Sequence, residues 1–305
     1  MRVTDSSMKY GSLQGIESAN SRLQSLNLQM STGNQITKPS DDPSNTVRAL
    51  QLRGDVKRNS QFAANANDAI GYMSTADSAY QQMISIAQKA QTLVVQGLNT
   101  GTADATSNTA LADQVHSIRE EMLSLSNTEY NGRPVFGGNT TSDVAYKEDA
   151  TTGNVYFVGD QTTVNRQVGE TTVVQINQTA TDAFGAPSTS GSTPGSDIFS
   201  VLQNIESALR NSPSTLSASD LSAIGASVTT MSAAQAKEGA AYNRVTVTQA
   251  AATTTNLALT TELSNIQDID LAAQAVAVST ASVTYQSALQ TTANIRQMSL
   301  LNFLQ

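Results

Sequence analysis

The stretch STGNQITKPSDDPSNTV, Ser31 to Val47, places two adjacent carboxylates between two prolines, in a chain that reads as helix on both sides. Upstream, Leu13, Ile16, Ala19, Leu23, Leu26 and Met30 recur at the three- and four-residue steps of an amphipathic helix, and Gly33 stands where a C-terminal cap belongs. The first helix therefore ends near Ser31. Asp42 before Pro43 fits an N-cap followed by proline at the first helical position, where the missing N–H costs nothing. Pro39 keeps Lys38 extended, and Ser40 can bond its own backbone. A carboxylate acid/base pair has to face one substrate with supporting His, Lys or metal ligands, which loop neighbours seldom do. Gly33, Pro39, Ser40, Asp41, Asp42 and Pro43 are thus read as a joint between two helices.

Beyond the joint, Ala66, Ile70, Met73, Ala76, Tyr80, Met83, Ala87, Ala90 and Val94 keep the helical rhythm until Gly97 and Gly101. One helix from Pro43 to about Leu98 would be roughly 80 Å long at 1.5 Å per residue. Leu111, Val115, Ile118, Met122 and Leu125 mark a third helix. The period then changes. Asn131-Gly132 is a tight-turn signal, and Val135-Phe136, Val144 to Tyr146, Val155 to Val158, Thr163 to Val168 and Thr172 to Asn177 read as short strands. Thr179 to Ser196, rich in Gly, Pro, Ser and Thr, reads as a loop or linker. Asp197 then caps a helix carrying Phe199, Leu202, Ile205 and Leu209.

The strictest pattern follows. Leu221, Ile224, Val228, Met231, Gln235, Glu238, Tyr242, Val245, Gln249, Ala252, Asn256, Leu259, Leu263 and Ile266 alternate three- and four-residue steps, the seam of a long coiled-coil strand. Four of these positions are polar, which costs stability but can set register. Asp268 and Asp270 lead into a last helix with an apolar tail, Leu300, Leu301, Phe303 and Leu304. The expected fold is mainly α with an inserted β-rich module: an elongated helical bundle or coiled coil formed by the N- and C-terminal helices. Its segments are 1–42, the N-terminal helix and joint; 43–129 and 197–267, two parts of a helical rod; 130–196, the β-rich module and linker; and 268–305, the C-terminal helix.

Composition narrows the function. Of 305 residues only 5% are aromatic and none is Trp, so an aromatic-lined pocket for a flat cofactor is hard to build, and no cofactor is expected. A net charge of -8, from 17 basic and 25 acidic residues, argues against nucleic-acid binding. No run is long and apolar enough for membrane insertion, and the first seven residues lack the apolar core of a secretory signal. The absence of cysteine removes disulfides, thiolate nucleophiles and Cys-ligated zinc. The only histidine, His116, has no second His or Cys to share a metal and is expected on a helix face. The methionines at 30, 73, 83, 122 and 231 fall on apolar stripes and read as packing. Gly137-Gly138 reads as a sharp bend rather than a phosphate cradle, and no catalytic motif or metal set emerges. Asn139-Thr140-Thr141 and Asn177-Gln178-Thr179 match a glycosylation pattern that Ser/Thr/Asn-rich chains produce freely. Arg53, Asp55, Lys57 and Arg58 form a charged helix face, solvated or turned to a neighbouring subunit.

Four segments resemble the flagellin superfamily. Gln29 to Gly33 with Ile36 and Pro39 to Pro43 is similar to the signature that closes the family's first helix. Lys237 to Val245 resembles its Gly-Ala-Arg-x-Asn-Arg segment, with Ala241 in place of the Arg. Ser264 to Asp270 resembles the approach to the last helix, and Leu300, Leu301 and Leu304 its Leu-rich tail. Asn131-Gly132-Arg133-Pro134-Val135-Phe136-Gly137-Gly138 is similar to the hook-filament junction branch rather than to filament flagellins, with Pro134 a departure.

The resemblance implies a structural protein of the bacterial flagellum. It would be exported by the type III apparatus, with a cytoplasmic chaperone on the C-terminal helix. It would then assemble outside the cell as a ring or helical layer of identical subunits beside a neighbouring hook-associated protein and flagellin. Terminal helices would form the inner tube and the β module would face outward. A filament flagellin, a secreted coiled-coil adhesin or translocator, and an enzyme using the β module are the competing expectations.

Overall fold

A computed structural model describes the backbone over residues 5–99, 105–191, 195–211 and 215–303, and side chains from 10 to 294 within these ranges. In order, these residues form α1 (Asp5–Thr32), α2 (Pro43–Asn99), α3 (Ala105–Ser126), β1 (Glu129–Tyr130), β2 (Arg133–Pro134), β3 (Tyr146–Glu148), β4 (Val155–Phe157), β5 (Asn165–Gln167), β6 (Val173–Gln175), α4 (Ala180–Phe184), α5 (Ile198–Asn211), α6 (Ala218–Gln267) and α7 (Leu271–Phe303). The fold is mainly α with small antiparallel sheets. The chain divides into two units, Met1–Arg58 with Thr255–Gln305, and Asn59–Thr254.

In the first unit α1 and α7 run antiparallel. Gln274, at the start of α7, donates to the Leu26 carbonyl (3.1 Å) and to Gln29 Oε1 (3.0 Å) near the end of α1. Further along α7, Ala281 is buried beside Ala19 and Arg22. Small residues let the two backbones approach, at the cost of a thin seam with little apolar area to remove from water. The α2 and α6 segments of this unit are tied by the Arg48–Glu262 ion pair and by Arg53, which donates to Gln267 Oε1 at 2.7 Å.

The second unit holds the thick core. The α2 stripe foreseen from periodicity is buried from Ala66 to Val94, except that Ile70 is only partly covered. It shares one apolar cluster with Leu111, Val115 and Met122 of α3 and with Leu202, Ile205 and Leu209 of α5. Antiparallel pairing of α6 with α2 is recorded by Asn59 donating to the Ala252 carbonyl, Gln249 to Asn67 Oδ1 (3.2 Å) and Gln235 to Asp77 Oδ1 (2.8 Å). Two of the polar seam positions thus find side-chain partners across the pair.

The β region consists of three two-stranded antiparallel ladders, β1-β2, β3-β4 and β5-β6. The first turns on Asn131 and Gly132, both at positive φ, the backbone that an Asn-Gly hairpin turn demands. The strands are shorter than the sequence suggests. Val135 and Phe136 form a turn, not a strand, and Phe136 is buried edge-on to Tyr80 with ring centroids 5.0 Å apart. Pro134 lies in β2 opposite Glu129, where its missing donor is followed at once by Val135 N–H bonding the Thr128 carbonyl (2.9 Å).

The linker expected over Thr179 to Ser196 is corrected at its start. Thr179 caps the one-turn helix α4 by accepting from Asp182 N–H at 3.1 Å, and Phe184 enters the core. A five-residue helix is too short to show a period, so its turn-rich composition hid it. Asp197 does cap α5, accepting from Ser200 N–H at 2.9 Å.

Candidate assembly surface

The helix joint is built from the chain ends inward. Gly33 leaves α1 at φ 72° and donates its N–H to the Gln29 carbonyl (2.9 Å), a conformation glycine adopts without strain. The chain then pairs with the turn between α6 and α7. Gln35 N–H donates to the Gln267 carbonyl (2.6 Å), Ile269 N–H to the Gly33 carbonyl (3.1 Å), and Gln267 Nε2 to Asn34 Oδ1 (2.6 Å). The joints at the two ends of the chain are one zipped structure.

Three acidic side chains there, those of Asp41, Asp42 and Asp270, are engaged by their local backbone. Asp42 Oδ1 accepts from Asn45 N–H (2.9 Å) and caps α2. Asp41 Oδ2 accepts from Lys38 N–H (2.8 Å) and the Thr37 hydroxyl (2.9 Å), and these bonds, the Thr37 hydroxyl first, hold its carboxyl below the usual range. Asp270 Oδ1 accepts from Ala272 N–H (2.9 Å) and caps α7. Asp42→Ala is expected to lower stability by about 1 kcal/mol through the lost cap. Chemical denaturation checks it; an unchanged midpoint would remove the cap from the account.

Along the helices that meet at this joint, several large apolar side chains stay in solvent. Tyr10 is 76% exposed and Val276 67%, and Leu13, Leu257, Leu271 and Val283 are also exposed. Large apolar residues left exposed along α1, α6 and α7 in this number suit helices that meet further neighbours. Val276 and Val283 escaped the sequence reading, although their one-heptad spacing signals a stripe. Of the seam residues on α1, Ile16, Leu23 and Leu26 are half-buried, while Leu13 and Met30 turn outward. On α6, Ile224, Met231 and Val245 are buried; Leu221, Val228, Leu259, Leu263 and Ile266 are half-buried; Tyr242 is exposed. Leu300, Leu301 and Phe303 belong to α7, but their side chains, and Leu304 altogether, lie outside the described residues.

Elsewhere, Arg53 and the Asp55–Arg58 pair satisfy one another or α6 rather than standing free. His116 lies 3.2 Å from Glu206 in a cluster where buried Arg119 pairs with Glu148 (3.0 Å), joining α3, β3 and α5. Among the described residues no group of three His, Cys, Asp or Glu could hold a metal, and no helix is long and apolar enough to cross a membrane.

Two family models meet on this chain. The bacterial flagellin N-terminal helical region matches residues 5–141 and the bacterial flagellin C-terminal helical region matches 221–304, the segments that carry α1, α6, α7 and both halves of the joint. The chain belongs to the flagellin superfamily. It is 30% identical over 217 residues to flagellar hook-associated protein 3 of Salmonella typhimurium, covering 69% of this chain and 67% of that one. It is 28% identical over 280 residues to flagellin of Bacillus subtilis, covering 89% and 88%. Among solved structures, a putative flagellar hook-associated protein from Vibrio parahaemolyticus superposes with a TM-score of 0.64 at 16% identity, covering 75% of this chain and all of that one. Flagellar hook associated protein-3 from Legionella pneumophila follows at 0.61 and 12%, covering 71% and 98%. At these identities the structures show a shared fold, and the junction-branch resemblance seen in residues 131–138 agrees with the hook-associated relatives. This is a family of structural flagellar proteins.

Proposed function

We propose that this superfamily member joins the flagellar hook to the filament by axial self-assembly and couples the two mechanically, without catalysis. The observation that carries the reading is the zipped joint of the two terminal segments, whose helices leave large apolar side chains exposed along their length. Segments 1–42 and 268–305 form the inner tube with identical subunits in a ring or helical layer, and 130–196 faces outward. A neighbouring hook-associated protein and flagellin bound the layer. A chaperone holds the C-terminal helix in the cytoplasm before export to the extracellular flagellum. Contacts between different patches on successive copies propagate instead of closing on a dimer, as axial assembly requires.

A filament flagellin is the second reading, favoured by the longer alignment to the Bacillus subtilis protein. Purified chain in filament-promoting salt, viewed by electron microscopy, separates them: long self-assembled tubes establish a flagellin, whereas a folded monomer that adds only to hook ends supports the junction protein. Leu263→Glu, which puts a charge on a half-buried seam position, is expected to abolish assembly and motility. Swarming at the wild-type rate would remove the seam from the assembly mechanism.

A further inference from the structure

A pocket of about 280 Å³ in the second unit is lined by Met73, Ser74, Asp77, Glu238, Tyr242 and Asn243 among others, where the α2 and α6 faces meet at the edge of the core. Glu238 is only 2% exposed, yet its Oε1 finds no hydrogen-bond partner among the described residues. A buried carboxylate without a partner costs several kcal/mol when charged, so the site is incomplete as it stands. Asp77 cannot complete it: its Oδ1 accepts from Gln235 (2.8 Å) and its Oδ2 from Gln81 (2.6 Å), and its own negative charge adds to the strain. Lys237, next in sequence, is turned away to Asp182 at 3.8 Å.

One carboxylate is too little for a divalent metal, which needs several oxygen ligands. A guanidinium suits the pocket better. It would pair with the Glu238 carboxylate, stack on the 36% exposed Tyr242 ring and bond the Ser74 hydroxyl or the Asn243 amide, with Met73 covering its apolar edge.

We propose that this pocket receives an arginine side chain from a second copy of the chain, and that Arg133 supplies it. Arg133 is exposed, and no ion pair among the described residues includes it. It follows the Asn131-Gly132 turn, whose fixed backbone presents it at little entropic cost. Donor and acceptor are different patches of the surface, so the contact repeats head to tail, in keeping with the assembly reading on which it rests. In the free chain Glu238 keeps its proton up to about pH 8, so binding expels that proton to solvent.

Arginine amide titrated into the full-length monomer at pH 7.5, followed through the Met73 methyl resonance, is expected to give a saturable shift that weakens at least tenfold in Glu238→Gln. No saturable shift, an equal response in Glu238→Gln, or an equal response to magnesium chloride overturns the pocket. For the source, the Met73 methyl is read again in the assembled state. Wild-type chain added to hook ends is expected to carry it at the arginine-bound position; Arg133→Ala is expected to carry it at the free position, or to stay a folded monomer that still binds arginine amide. Wild-type assembly with Met73 at the free position, or assembled Arg133→Ala with Met73 at the bound position, overturns Arg133 as the donor and leaves the assembly reading standing. Arginine binding by wild-type chain that does not add even to hook ends overturns the assembly reading and with it the second-copy source.

Discussion

Phe184→Ala lowers the unfolding free energy of the Asn59–Thr254 unit by about 3–5 kcal/mol, the range for deleting a buried aromatic ring. Phe184 is 1% exposed and is the centre of an aromatic cluster. Its ring lies 5.1 Å from Phe136 and 5.5 Å from Tyr146, both edge-on, and 6.1 Å from Phe199. Edge contacts of this kind add to the area term, so a truncated ring forfeits packing with α2, β3 and α5 at once. The cavity cannot close by moving one neighbour, because each is held by another element. Denaturant titration followed by tyrosine fluorescence measures it; a loss below about 1 kcal/mol would mean that α4 is peripheral to the core.

Glu238→Gln acts in the opposite direction and only above acidic pH. Burial first, and the Asp77 charge second, raise the Glu238 carboxyl from 4.5 to about 8. An unfolded glutamate releases its proton near the lower value, so the folded chain holds one proton more between the two. Stability is therefore full below about pH 4.5, falls as the pH climbs, and levels off above about pH 8. Tyr72 and Tyr80, which face the same carboxylate from α2, are raised above the usual phenol range by burial and stay neutral throughout. Glutamine removes the charge, and the variant is expected to exceed the wild type by several kcal/mol at pH 8.5, with about 5 kcal/mol as the ceiling, and to match it near pH 4. Parallel pH profiles of wild type and variant would show that Glu238 is not the group responsible.

Much of the helical frame was legible from residue spacing. The α2 stripe, the cap at Asp42 and the C-terminal glycine at Gly33 each follow from local rules, because a helix face and a cap are decided within a few residues of chain. The strands were legible as a change of period and then over-extended, since Val135 and Phe136 satisfy a β pattern while the fold uses them in a turn above Tyr80. Phe184 was lost in a loop-like composition, and nothing local could have shown that its ring closes the core.

By itself, then, the sequence determined which residues share a helix face, where the helices stop, and through its signature segments which superfamily the chain joins. Tertiary structure alone decided what each face meets. Seam spacing on α6 announces a partner helix without naming it; only long-range bonds such as Gln235 to Asp77 and Gln249 to Asn67 select α2. The same holds for what is left over. Val276 and Val283 look as buriable as Ala281, yet α1 covers only the alanine, because a helix has more than one face and a single neighbour can dry only one of them.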